Sequence, residues 1–144
     1  MKEIKGDLWT TPADIIVITT NGYINKKGEA VMGRGCALQA KTKYPVVARW
    51  LGKNIEEHGN HVFNLGIHDG KNIYSFPVKH NWWEEADIEL IKRSCKELAG
   101  RIEKWHKVLL PRPGCGNGKL KWEDVKKAIA PLLPDNVLVI SNEL

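Results

Sequence analysis

A three-layer α/β sandwich is the fold class this sequence predicts, for three reasons. Ile15-Ile16-Val17-Ile18 and Val137-Leu138-Val139-Ile140 are continuously apolar rather than alternating, as strands are when helices cover both faces of their sheet. Short apolar strand candidates interleave with amphipathic helical stretches, the pattern of layered α/β folds. The 144 residues, 42% hydrophobic and 27% charged, suffice for one hydrophobic core and are too apolar for a disordered chain.

Taken in order, residues 3–5 form a short first strand that runs into Gly6-Asp7. The apolar run at 15–20 forms the second, and Asn21-Gly22, a common turn dipeptide, ends it. A helix over 35–44 starts in a glycine-rich turn, and another over 45–58 opens on Pro45 and stops at Gly59. Strands follow at 61–66 and 72–77. A long helix over 84–104 places Ile88, Ile91, Cys95, Leu98 and Ile102 three and four residues apart, on one stripe. The strand at 108–110 precedes a helix over 122–133, with Trp122, Val125, Ile129 and Leu132 on one face and Lys126 and Lys127 on another. The last strand spans 137–141. With no internal repeat, low-complexity tract or linker, residues 1–144 read as a single domain.

Composition narrows the function classes. No apolar run approaches the ~18 residues of a membrane span, so no membrane association is expected. The N-terminal residues lack the apolar stretch of a signal peptide, and three cysteines are an odd number for a disulfide framework. The expectation is a cytoplasmic, monomeric protein in a reduced setting. Cys36, Cys95 and Cys115 lack CxxC spacing and the five His form no HExxH, so neither a metal nor a cofactor is expected. Twenty-two Lys and Arg against seventeen acids give +5, which favours an anionic partner.

Two glycine-rich turns carry the chemistry: Gly33-Arg34-Gly35-Cys36-Ala37 ahead of a helix, and Pro113-Gly114-Cys115-Gly116-Asn117-Gly118 after a strand. Glycine lets backbone approach a ligand closely, and converging amides or a helix N-terminus bind phosphate oxygens. Neither turn is a P-loop or a full GxGxxG. Asp7, past the first strand, is either a turn residue or an acceptor for an exocyclic amine such as that of adenine. Asn21 is either part of its turn or a partner for a sugar hydroxyl. Lys79, where Phe76-Pro77-Val78-Lys79 leaves a strand, is a candidate electrostatic stabiliser, general acid or amine nucleophile. His80 is an alternative acid or base. Trp82-Trp83 can stack on a base, close over a ligand or pack on the following helix.

Together these segments resemble a macrodomain, the ADP-ribose-binding α/β/α fold. The residues that carry the resemblance are Gly6-Asp7-Leu8, Thr20-Asn21, the run from Val31 through Met32 and the first glycine turn to Gln39, Phe76 to Lys79 with Trp82, and the run from Leu110 to Trp122. They span almost the whole chain in order. The similarity is greatest to the branch of terminal ADP-ribose protein glycohydrolases and DNA ADP-ribosyl glycohydrolase antitoxins. It implies a central mixed sheet of about six strands. It also implies that Asp7 and the Leu8 amide hold adenine, and that Asn21 faces the distal ribose. Gly33 to Ala37 and the turn from Pro113 to Gly118 would wrap the pyrophosphate and distal ribose, with Lys79 as the catalytic residue. In the protein glycohydrolases an aspartate in the second turn assists that lysine; here the corresponding residue is Gly118. The antitoxin-like enzymes share Gly116-Asn117-Gly118, although Lys119 and Lys121 replace their usual Gly and Asp.

The implied ligand is ADP-ribose or an ADP-ribosylated macromolecule, and the implied activity is an ADP-ribosyl hydrolase acting on modified protein or nucleic acid. A reader that binds without turnover, a phosphatase acting on ADP-ribose 1″-phosphate, and a nucleic-acid module driven by charge are the alternatives. The basic pairs Lys26-Lys27, Lys41/Lys43 and Lys119/Lys121 lean toward a nucleic-acid carrier, while Glu84, Glu85 and Asp87 dilute that charge.

Overall fold

Alternation along the central strands sorts the core into two layers. On β2 (Ile15–Thr20), Ile15 and Val17 point to one layer and Ile16 and Ile18 to the other. Val108 and Leu110 against Leu109 repeat this on β5 (Val108–Pro111), and Val137 and Val139 against Ile140 on β6 (Val137–Ser141). These side chains are essentially inaccessible, and burying each contributes about 1.5–3 kcal/mol before ordering costs. A continuously apolar strand is thus two apolar faces written in alternation.

The computed structural model describes residues 1–143. With β1 (Lys2–Lys5), β3 (Asn64–His68) and β4 (Lys71–Pro77) the strands form one sheet in the order β1-β6-β5-β2-β4-β3. All neighbours are parallel except β3, which lies antiparallel to β4, so the sheet is mixed and six-stranded as expected. Helices α1 (Gly35–Lys43) and α2 (Val46–His58) cover one face; α3 (Ile88–Ala99) and α4 (Trp122–Ile129) cover the other. Because β2, β4 and β5 are parallel neighbours, their carboxyl ends open on one edge. The chain leaves β2 for β4 on one side and later returns as β5 on the other, which makes β2 a switch point where ligand clefts form.

Several boundaries differ from the sequence expectation, each for a local reason. The long helix begins at Ile88, not 84, because the Asp87 carboxylate accepts from the Glu89 and Leu90 amides and caps it there. It ends at Ala99 because Gly100, a poor interior helix residue, closes the last turn. The final helix stops at Ile129 and continues as a 3₁₀ turn, Ala130–Leu132, since Pro131 cannot donate to the α ladder. The third strand starts at Asn64 rather than 61: the Val62 amide donates to Glu97 Oε1 (2.9 Å) and the Phe63 amide to Ser75 Oγ (2.9 Å), so side chains replace ladder bonds. That strand extends to His68 and turns into β4 through Asp69-Gly70, both at positive φ, a hairpin the sequence reading left out.

Candidate active site

The carboxyl ends of β2, β4 and β5 and the two glycine turns enclose a cleft of about 480 Å³. The first turn feeds α1. Its N-cap, Arg34, is extended (φ −148°, ψ 157°) and makes no side-chain cap bond, so the opening amides of the helix are left for a ligand. Gly35 has φ +58°, which favours glycine. Cys36 anchors the turn from below: its sulfur lies 3.4 Å from the Thr19 amide and 3.3 Å from Thr19 Oγ1. Burial pushes the Cys36 thiol pKa up, with the Thr19 contacts opposing.

The second turn is closed more tightly. Gly114 has φ +76°, and a Cβ there would lie 2.8 Å from Ile91 Cδ1. A Cβ on Gly118 would lie 2.5 Å from the Gly114 oxygen and 2.7 Å from the Ala86 Cβ, while the Gly118 carbonyl accepts from the Ala86 amide at 3.1 Å. An aspartate therefore cannot occupy position 118 in this backbone. Gly116 is open, with nothing within 4 Å of an added Cβ. The two turns approach across the cleft where a Cβ on Gly35 would lie 3.6 Å from Asn117 Nδ2.

Lys79 enters this space between them. The backbone around it is fixed by Val78 N to Thr20 O (2.9 Å), Asp87 N to Val78 O (2.9 Å) and Asn60 Nδ2 to Lys79 O (3.0 Å). Its Nζ donates to the Asn117 carbonyl at 3.3 Å. Burial, followed by the neighbouring charges of Arg34 and Lys119, lowers the Lys79 pKa. This enlarges the amine fraction and makes the ammonium a better proton donor.

Of the residues singled out in the sequence, Asn21, Gly33, Arg34, Gly35, Cys36, Ala37, Lys79, Gly114, Gly116, Asn117 and Gly118 line the cleft. Asp7, Leu8, Pro113 and Cys115 do not. Asp7 is exposed, and its Oδ1 accepts from the Trp9 and Thr10 amides (2.8 and 3.1 Å), the turn alternative. Leu8 is in the core beside α1 and α2. Pro113 is buried, and Cys115 packs toward the opposite layer, where burial pushes its thiol up to about 11. Asn21 lines the cleft and also performs its turn role, donating to Val31 O (3.0 Å) and accepting from Tyr23 N (2.9 Å). His80 turns away to Asp87 Oδ2 at 3.0 Å.

The sequence reading missed Thr19 as a lining residue, and it gave Val31, Val78, Pro111 and Arg112, which lie in the runs that carry the family resemblance, no role in binding. Thr20 and Met32 also line the cleft; they carried the family resemblance without a role in binding. Thr20 Oγ1 is buried with no hydrogen-bond partner among the described residues. Such an orphan costs about 1–3 kcal/mol, which a polar ligand group in the cleft would relieve. Among the described residues no group of three or more His, Cys, Asp or Glu side chains is placed to hold a metal ion, and no helix is long and apolar enough to cross a membrane.

No protein-family model matches the chain. It is 32% identical over 146 residues to the DNA ADP-ribosyl glycohydrolase of Mycobacterium tuberculosis, covering 94% of this chain and 40% of that protein. The chain spans about two fifths of the length of the curated relatives it matches. Among solved structures, the macrodomain of Mycobacterium tuberculosis DarG superposes with a TM-score of 0.78 at 31% identity, covering 96% of this chain and 95% of that one. Thermosipho africanus DarTG in complex with ADP-ribose shares the fold at a TM-score of 0.76 and 19% identity, over 96% of this chain and 41% of its own. Identity of 31% sustained over 95% of a solved macrodomain, with a TM-score of 0.78, shows that this chain belongs to the macrodomain family.

Proposed function

We propose that the cleft binds ADP-ribose and that the protein is an ADP-ribosyl hydrolase releasing it from a modified carrier, with DNA the preferred carrier class. The observation that carries this reading is the placement of Lys79, a partly buried amine held between two backbone-lined anion cradles. The relatives named as DNA ADP-ribosyl glycohydrolases support the carrier, and the neighbour solved in complex with ADP-ribose supports the ligand. In this scheme the pyrophosphate lies against the uncapped α1 amides and the second turn, and the distal ribose reaches Lys79. Asp7 reaches the adenine amine through its second carboxylate oxygen.

Hydrolysis breaks the bond from the anomeric carbon to the carrier. The bonding pair leaves with the carrier atom, which takes a proton; the anomeric carbon ends bearing the oxygen of water. Positive charge builds on the ribose as the bond opens, and the nearby pyrophosphate and fixed carbonyl dipoles offset it. Lys79 supplies the proton to the departing atom while water attacks the carbon. Alternatively, its free amine attacks the carbon as the carrier leaves and passes a proton to it; the resulting carbon–nitrogen bond is then cleaved by water, which returns the amine. The cradles orient the substrate.

A calorimetric titration with ADP-ribose, and turnover of ADP-ribosylated DNA, test the reading together. Wild type should bind; Asp7→Ala should weaken binding about ten-fold, the loss of one charge-assisted hydrogen bond. Lys79→Ala should bind ADP-ribose yet release it from the carrier at least a hundred-fold more slowly. Full turnover by Lys79→Ala would overturn the catalytic assignment. A second reading, binding without turnover, is favoured by the sterically closed Gly118, which leaves Lys79 without the carboxylate partner that position would carry. Tight binding with no release by the wild type selects it. The proposal extends to a cytoplasmic monomer.

A further inference from the structure

The Trp82-Trp83 pair is not buried against the helix that follows it. Trp82 is 50% and Trp83 58% exposed, on a turn closed by Glu84 N to Asn81 O and by Asn81 Nδ2 to Glu84 Oε1. The two indoles meet edge to face at 5.4 Å, and Tyr23 extends the row at 5.4 Å from Trp83. The row is built rather than fortuitous. Gly22 N donates to His80 O at 3.0 Å, tying the Tyr23 segment to the Trp82 turn. A Cβ on Gly22 would meet Asn60, which in turn holds the Lys79 carbonyl. The inner ring, Trp82, lines the cleft with Lys79, so the row begins where the scissile bond would lie and runs outward.

We propose that Trp82, Trp83 and Tyr23 form a stacking shelf for unpaired nucleobases of a single-stranded carrier, which leaves the cleft across these rings. This rests on the ADP-ribosyl hydrolase reading and specifies its substrate. Three exposed aromatic rings offer π faces but little base-edge hydrogen bonding, which suits bases generally. A base stacked inside a duplex cannot reach them unless it is flipped out. Arg34 and Lys119 are both exposed and close enough to influence Lys79, placing cations beside the mouth for flanking phosphates. Glu84 and Glu85, following Trp83, repel phosphates and steer the strand to that cationic side.

The test uses the double variant Tyr23→Ala/Trp83→Ala, which leaves the cleft lining intact, alongside Trp83→Phe. The probes are free ADP-ribose, an ADP-ribosylated single-stranded oligonucleotide and an ADP-ribosylated peptide. The double variant should melt like the wild type and bind ADP-ribose unchanged. Its KM for the oligonucleotide, or its Kd if the wild type binds without release, should rise at least ten-fold, with kcat within two-fold and Trp83→Phe near wild type. An unchanged KM or Kd with intact ADP-ribose binding overturns the shelf and leaves the hydrolase reading standing. An equal loss on the peptide overturns the nucleobase assignment. If wild type binds no ADP-ribose, the hydrolase reading fails. The shelf is then judged by quenching of its tryptophan fluorescence by unmodified octathymidylate: loss of quenching in the double variant supports it, and no quenching of the wild type overturns it.

Discussion

Lys79 is a cleft residue whose chemistry the surroundings alter. Burial disfavours its charged form, and the positive charges of Arg34 and Lys119 act in the same direction. Removing one of those charges must raise its pKa. In Arg34→Gln, the limb of the pH–rate profile that belongs to Lys79 therefore moves to higher pH. If the free amine attacks, the moving limb is ascending and the rate at neutral pH falls. If the ammonium donates, the moving limb is descending and activity persists to higher pH. A kcat profile of wild type and variant across the neutral and alkaline range decides between the roles. A profile whose limbs both stay fixed would assign them to other groups. Cys36, pushed upward by burial and enclosed by Thr19, is kept a thiol and serves as an anchor for the turn.

At the scale of elements, α2 illustrates geometry overruling propensity. Gly52 lies in its interior, where Gly→Ala normally stabilises a helix by about 1 kcal/mol. Here an added Cβ would stand 2.1 Å from the Gly28 carbonyl oxygen and 2.9 Å from the Ala30 amide nitrogen. Both are backbone atoms of a loop held by Ala30 N to Ala48 O (2.9 Å) and by amides of Lys27 and Glu29 donating to Asn25 Oδ1. Neither can yield by a rotamer change, so overpacking at about 1–3 kcal/mol wins. Gly52→Ala should melt several degrees below wild type, a thermal scan being the measurement; equal or higher stability would contradict the close approach. The fit of that loop to Gly52 was not legible in the sequence, because it is a contact between distant segments. β2, β5 and β6 were legible because burial on both faces leaves residues 15–18, 108–110 and 137–140 continuously apolar. Where the start of α3 was misplaced, the helix stripe was read correctly from Ile88 to Leu98, although Ile102 lies beyond the helix end, and Glu84 and Glu85 masked Asp87 as the cap. The Asp69-Gly70 turn was a local signal, overlooked because the flanking strand is bulged between Asn64 and Ile67.

For the molecule as a whole, the glycine turns were visible because positive φ and steric closure leave a compositional trace. Thr20, Val78, Pro111 and Arg112 were not recognised as cleft residues, because only the meeting of three strand ends makes them so. The same arrangement separates two kinds of anion recognition that net charge alone merges. The pyrophosphate is assigned to backbone amides, whereas the surplus of +5 is exposed on side chains such as Arg34, Lys119, Lys26 and Lys27. Amide cradles release few counterions, so binding of free ADP-ribose should depend weakly on salt. A single-stranded carrier that places about three phosphates on those cations should add a slope of about −2 to log K against log salt concentration. Between 50 and 200 mM salt, that is roughly a fifteen-fold loss for the ADP-ribosylated oligonucleotide beyond any loss for free ADP-ribose. Parallel titrations of the two ligands at several salt concentrations measure the difference. Equal slopes would mean that the basic surface does not meet the carrier, and the positive charge would need another partner.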